Sequence, residues 1–139
     1  MNGRPVVVDT NVALDLLVFD DPSARPLRAQ LEGGGLRWIA TRGMREELER
    51  VLSYEHIAVR LLAGGRLAAQ VLEAFDGHAE LVDVARTAPV RCSDPDDQKF
   101  IDLAVQHRCL LLSKDAAVLS MNKRLAALDV YAAAVMPVG

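Results

Sequence analysis

Aromatic residues make up only 4% of this 139-residue chain, so its interior has to be built from aliphatic side chains and alanine. There are two cysteines, Cys92 and Cys109, too far apart for a CxxC pair and with no histidine at zinc-ligand spacing. That excludes a disulfide framework and a zinc site, and Cys109, which opens an apolar run, reads as a buried thiol. His56, His78 and His107 share no spacing that suggests a site, and all three read as surface or helix-end residues. No apolar run approaches the roughly 20 residues needed to cross a bilayer. No charged-then-apolar signal pattern precedes Asp9, so a soluble, cytoplasmic protein is expected. An excess of basic charge is also missing: the formal net charge is −3, which does not favour binding nucleic acid through bulk charge. A phosphate-bearing partner would have to be held locally, by a metal or by a few placed Arg and Lys. Internal repeats and low-complexity segments are absent, and the length fits one domain over residues 1–139.

What the chain does have, almost at its start, is Pro5-Val6-Val7-Val8-Asp9-Thr10-Asn11. Three consecutive β-branched residues predict a strand apolar on both faces, as in a parallel sheet covered by helices. A helix is expected to start at Val12. A carboxylate at the end of such a strand faces the crevice where open α/β sheets place ligands; alternatively, Asp9 merely ends the strand and Asn11 caps the helix. Further on, Asp20-Asp21-Pro22-Ser23 predicts a turn with Ser23 as N-cap of a helix over residues 24–32, stopped by Gly33-Gly34-Gly35. Residues 36–40 predict a second strand and Thr41 the cap of a helix over 42–53. This is a βαβ rhythm with a right-handed crossover. Residues 55–80 predict one or two helices broken near Gly64-Gly65, with Leu67, Val71, Leu72 and Phe75 on one side. They carry no evident chemistry and read as a helical cover or a dimer surface. A third, more exposed strand is expected over 81–85, a helix ending near His107, a buried strand over 109–112, a short helix over 116–121 and a late strand over 130–133.

Helix geometry sorts the acidic residues. Met44, Leu48, Val51 and Leu52 form an apolar stripe, with Glu47 at its edge and Glu46 and Glu49 further out. Glu47 can therefore reach into a crevice, or can be an ordinary solvated glutamate. Asp97, Phe100, Ile101 and Ala104 fall at i, i+3, i+4 and i+7, so Asp97 heads an inward-facing stripe. Asp94-Pro95-Asp96-Asp97 also fits a helix start, with Asp94 as N-cap, Pro95 at N1 and Asp97 at N3 of a capping box. Asp115 repeats the pattern of Asp9, a carboxylate directly after an apolar strand, with the Ser113 hydroxyl two residues earlier. Two strand-end and two helix-borne carboxylates near one sheet edge repel one another. A hard divalent cation with oxygen ligands, Mg²⁺ or Mn²⁺, would resolve this, and such a site suits phosphodiester chemistry.

The runs VVVDTNV, EELERVL, DPDDQKFIDLA and LLLSKD, taken in order, resemble the acidic motifs of PIN-domain nucleases. The likeness extends to the branch of toxin–antitoxin toxins related to VapC-type ribonucleases, and covers nearly the whole chain. It implies a three-layer α/β fold, with a parallel sheet of about five strands flanked by helices, often dimeric and cutting RNA. It also implies Asp9, Glu47, Asp97 and Asp115 as catalytic, Mg²⁺- or Mn²⁺-binding acids, with Asn11 and Ser113 supporting them. Ser113-Lys114-Asp115 stands where a Thr-Gly-Asp type of sequence is usual, keeping a hydroxyl but adding a charge. The end, Met136-Pro137-Val138-Gly139, lacks the usual closing apolar helix turn.

The leading expectation is a metal-dependent endoribonuclease, the toxin of a type II pair, with RNA as substrate, an antitoxin as partner and a homodimer as assembly. Arg42, Arg45, Lys99 and Lys114 are the basic residues best placed to contact RNA phosphates. Two alternatives remain at this level: a phosphoaspartate phosphatase or receiver domain using Asp9, and a non-catalytic PIN domain that binds RNA or protein. Haloacid-dehalogenase-like phosphatases usually carry a second Asp two residues after the nucleophile, where this chain has Asn11. The non-catalytic alternative leaves the cost of unpaired acids unexplained.

Overall fold

A computed structural model describes residues 3–137. Its centre is β1 (Arg4–Val8), where Val6, Val7 and Val8 are buried, as expected of a strand covered on both faces. β1 pairs in parallel with β2 (Leu36–Ala40) on one side and β4 (Leu110–Leu112) on the other. β3 (Ala79–Leu81) and β5 (Tyr131–Ala133) flank these, giving a five-stranded parallel sheet in the order β3-β2-β1-β4-β5. The chain therefore runs one way through β1, β2 and β3, then crosses back over to β4 and β5. Right-handed crossovers put the helices of the first half on one face and those of the second half on the other. The result is the expected three-layer α/β fold, with its switch point between β1 and β4.

Most elements follow the sequence pattern, and the departures have local causes. The first helix, α1 (Thr10–Leu14), starts two residues before the expected Val12 because the Asp9 side chain caps it, accepting from the Asn11 N–H at 3.2 Å. Asn11 is thus not the cap. The helix then widens into a π-helical stretch, Asp15–Phe19. The Arg28 and Arg66 guanidinium groups donate to the Leu16 and Leu17 carbonyls there, satisfying acceptors within that irregular stretch. Ser23 does not cap the next helix. Asp21 does the capping two residues earlier, taking both the N–H and the hydroxyl of Ser23, and a 3-10 turn (Pro22–Ala24) leads into α2 (Arg25–Gly33). Gly34, at φ 81°, ends α2 in the left-handed conformation that favours glycine.

Thr41 caps α3 (Arg42–Leu52) as expected, accepting from the Met44 N–H at 3.3 Å. The 55–80 region is two helices, α4 (Glu55–Ala63) and α5 (Ala68–His78). Val71, Leu72 and Phe75 face inward, but Leu67 precedes the first turn of α5 and is exposed. The Phe75 ring packs edge-on against Trp38 of β2, with centroids 4.9 Å apart. β3 begins two residues earlier than expected, directly off α5, because Ala79–Leu81 takes the ladder positions opposite Trp38, Ile39 and Ala40. After the Val82 N–H bonds the Ala40 carbonyl, the chain leaves the sheet, so residues 83–85 are not strand. The last helical region is two short helices, α7 (Ala116–Leu119) and α8 (Asn122–Ala126), rather than one. Val138 and Gly139 of the closing segment lie outside the described residues. Cys109 is buried, its thiol pushed up to about 12 by that burial, whereas His56 is exposed and His78 and His107 are partly so. Among the described residues no helix is long and apolar enough to cross a membrane.

The Trp38–Phe75 contact ties the helical cover to the sheet. Phe75→Ala should cost about 3–5 kcal/mol, read by urea denaturation through the fluorescence of Trp38, the chain's one tryptophan. A loss below about 1 kcal/mol would place α5 outside the cooperative core.

Candidate functional site

The site forms where β1 and β4 end. Val8 and Leu112 are paired, and the Asp9 N–H continues that ladder to the Leu112 carbonyl at 2.8 Å. Asp9 and Ser113, the next residues on adjacent strands, therefore meet. The Ser113 hydroxyl donates to Asp9 Oδ2 at 2.6 Å, and the Asp115 N–H donates to the Ser113 hydroxyl oxygen at 3.1 Å. Both Asp9 and Ser113 are buried. Burial pushes the Asp9 carboxyl above its ordinary value; the bonds from Ser113 and Asn11 oppose this, and the charges of Asp115 and Glu47 reinforce it.

Asp97 comes from the 3-10 turn Pro95–Asp97 that opens α6 (Gln98–His107). Phe100, Ile101 and Ala104 beside it are buried, so the inward stripe forms as its spacing predicts. The capping-box role for Asp97 is not observed. Asp94 does the capping, accepting from the Asp96 N–H at 3.0 Å, and the Asp97 side chain makes no cap bond. Asp97 is only 7% exposed, and its Oδ2 is enclosed with no hydrogen-bond donor. Its pKa is pushed up to about 7, first by burial and then by Asp115, Asp9 and Asp94. Carboxylate oxygens of Asp94, Asp97 and Asp115 all lie within 4.8 Å of one another.

The segment that delivers Asp94 is held by one row of α6. Gln98, Asp102 and Gln106, spaced four apart, take the Cys92, Ala88 and Arg86 N–H groups, and the Gln98 amide donates to the Val90 carbonyl. An irregular loop is thereby fixed without strand or helix of its own.

A family model for the PIN domain matches residues 5–117, a span that contains Asp9, Glu47, Asp94, Asp97 and Asp115. The chain belongs to the PIN-domain family. PIN domains are generally nucleases. A search of curated proteins finds no match to the chain.

In this PIN domain the expected acids do not share one environment. Glu47 sits at the edge of its stripe as predicted, but its carboxylate is already engaged. It accepts from the Thr10 hydroxyl and from Lys99 Nζ at 2.8 Å, with Arg50 at 4.0 Å. Among the described residues, no Lys, Arg or His lies within ion-pair distance of Asp9, Asp94, Asp97 or Asp115. Asn11 contributes its backbone N–H to Asp9 while its side chain is exposed.

The four basic candidates are also unlike one another. Lys99 pairs with Glu47 and donates to the Asp96 carbonyl, and Arg45 forms a two-pronged pair with Asp76 at 2.8 Å. Lys114 turns to Asp15 at 2.6 Å, so its extra charge is met there. Arg42 is exposed. Thr10 and the buried Asp15 were not among the expected residues. The signals were a hydroxyl next to Asp9 and a lone acid inside the apolar run from Val12 to Phe19.

Glu47 apart, which Lys99 and Thr10 hold, the donor set fits a hard divalent cation. It is all carboxylate and hydroxyl oxygen, has no Lys, Arg or His at ion-pair distance among the described residues, and includes one enclosed oxygen with no donor. Asp97 also sets a pH dependence. Its folded pKa of about 7 lies above the ordinary value of 3.8, so between these the folded chain holds more protons than the unfolded one. Without metal, the stability this group contributes is therefore full below about pH 4 and is lost as pH rises through about 7. Thermal melts in EDTA between about pH 5 and 8 should show Tm falling more steeply with pH for the wild type than for Asp97→Asn. Equal slopes would remove Asp97 as the source.

Proposed function

We propose that this chain is a Mg²⁺- or Mn²⁺-dependent endoribonuclease, the toxin of a type II toxin–antitoxin pair, acting in the cytoplasm. The observation that carries the nuclease reading is the close group of Asp94, Asp97 and Asp115, without a Lys, Arg or His partner among the described residues and with Asp97 Oδ2 enclosed and unsatisfied. Asp9, Glu47, Asp97 and Asp115 are the catalytic and metal-holding acids. A bound divalent ion supplies Lewis-acid charge for a phosphodiester under attack and lowers the pKa of water.

The chain's own groups do the placing. The Ser113 hydroxyl and Asn11 N–H fix the rotamer of Asp9, so its charge stands at one position before substrate arrives. Lys99 and Thr10 hold Glu47 against α6 and α1 in the same way. Arg42, which is exposed, offers charge to an RNA backbone, with Lys99, Arg45 and Lys114 as weaker candidates because all three are paired. Val59, Leu62 and Leu67 on and after α4 are exposed apolar side chains. They support that face as the surface for a second copy or an antitoxin. A phosphoaspartate role for Asp9 is disfavoured, because each of its oxygens already accepts a hydrogen bond and the group is buried.

Incubating the pure protein with mixed RNA, with and without Mn²⁺, and mapping the cut ends tests the reaction. Metal-dependent internal cuts are expected, and none, or cuts in DNA alone, would overturn the RNA reading. Asp9→Asn should fold and lose cleavage by about a hundredfold or more, since even outer partners of a metal site cost ~10–100-fold. Wild-type rates in that variant would sink the assignment. At a hundredfold excess over its Kd, Mn²⁺ should add roughly 2.7 kcal/mol to stability, visible as a raised Tm against EDTA.

A further inference from the structure

The role expected of Asp94 was to cap a helix, and it does so with one oxygen, Oδ1, accepting from the Asp96 N–H. That task leaves its other oxygen unaccounted for. It also does not explain why the residue is an acid, since Ser or Asn at an N-cap would serve about as well. A carboxylate here stands within 4.8 Å of those of Asp97 and Asp115 and so adds to their repulsion. Charge placed at a cost needs a use.

The surroundings indicate one. Lys99 answers Glu47 and Lys114 answers Asp15, at 2.8 Å and 2.6 Å. No such partner reaches Asp94, Asp97 or Asp115 among the described residues. Independently of the cluster itself, Asp97 is more than nine-tenths buried and its Oδ2 meets no donor, so an electropositive group is missing from this spot. Oxygens sharing one cation at 2.0–2.6 Å stand at most about 4–5 Å apart. The observed limit of 4.8 Å falls in that range.

We propose that Asp94 is a fifth carboxylate of the metal site, binding the cation together with Asp97 and Asp115 while its other oxygen caps the helix. The proposal rests on the metal-dependent reading given above and assigns Asp94 a part in it. The loop that carries Asp94 is pinned to α6 through Gln98, Asp102 and Gln106. Its carboxylate is thus held in place before the ion binds, rather than gathered by it.

The test is Mn²⁺ binding to the purified full chain by titration calorimetry, with no RNA present. Asp94→Asn keeps the cap and the shape but removes the charge; Asp94→Ser keeps only the cap. Asp96→Asn removes the same charge from the neighbouring position, which is exposed and outside the cluster. Both Asp94 variants should melt in EDTA within a few degrees of the wild type and bind Mn²⁺ about tenfold or more weakly. Asp96→Asn should change the affinity less than about twofold. Wild-type affinity in Asp94→Asn would make Asp94 a cap only and overturn the proposal, leaving the metal site of the other acids intact. Equal weakening by Asp96→Asn would reduce the effect to general charge and overturn it as well. Failure of the wild type itself to bind Mn²⁺ would overturn the metal reading and this proposal with it.

Discussion

The hydrogen bond from Ser113 to Asp9, 2.6 Å across the ends of β4 and β1, is the contact around which this protein is arranged. It exists because the sheet reverses its order between those two strands, so that two residues 104 apart in the chain become ladder neighbours. It gives one carboxylate a fixed direction in a place from which water is largely removed. Everything else at the site answers that charge. Asp115 follows Ser113 by two residues and raises the cost of ionising Asp9. Asp97 comes in from the start of α6, where Asp9 and Asp115 raise the cost of ionising it.

The chain neutralises charge selectively. Two buried or half-buried acids, Asp15 and Glu47, have lysine partners. Among the described residues Asp9, Asp94, Asp97 and Asp115 have none. Burying an ionised carboxylate without a partner is costly, and the usual outcome is a raised pKa, which Asp97 and Asp9 both show. An arrangement that pairs Asp15 and Glu47 with lysines but leaves Asp94, Asp97 and Asp115 without them is one that leaves room for a cation from solution. In these terms stability and function are opposed here, because the same carboxylates weaken the metal-free fold.

Rigidity around the site comes from parts that carry no chemistry. The row Gln98, Asp102 and Gln106 replaces missing secondary structure for residues 86–92. Arg28 and Arg66 complete a π-helical stretch beside Asp15 by taking two of its carbonyls. The Trp38–Phe75 contact fixes α5 on the sheet.

The sequence by itself determined four of the five strands and most of the stripe positions, because these depend on local periodicity. Val6-Val7-Val8 read as a strand covered on both faces, residues 36–40 as the second strand, and Asp97 as the head of a buried stripe, and each is found so. The end-of-strand placement of Asp9 and Asp115 was legible for the same reason. Tertiary structure decided what depends on partners distant in the chain. Whether Asp94 only caps, whether Lys114 crowds the site or turns to Asp15, and whether Glu47 is free or held by Lys99 are questions of which charges meet. So too with the caps: Ser23 and Asn11 had suitable side chains, but Asp21 and Asp9 each stood two residues earlier and took the N–H groups first. Periodicity fixes which face a residue lies on, within about one turn of helix or two residues of strand. What lies opposite that face is set by strand order, which no local pattern in this chain encodes.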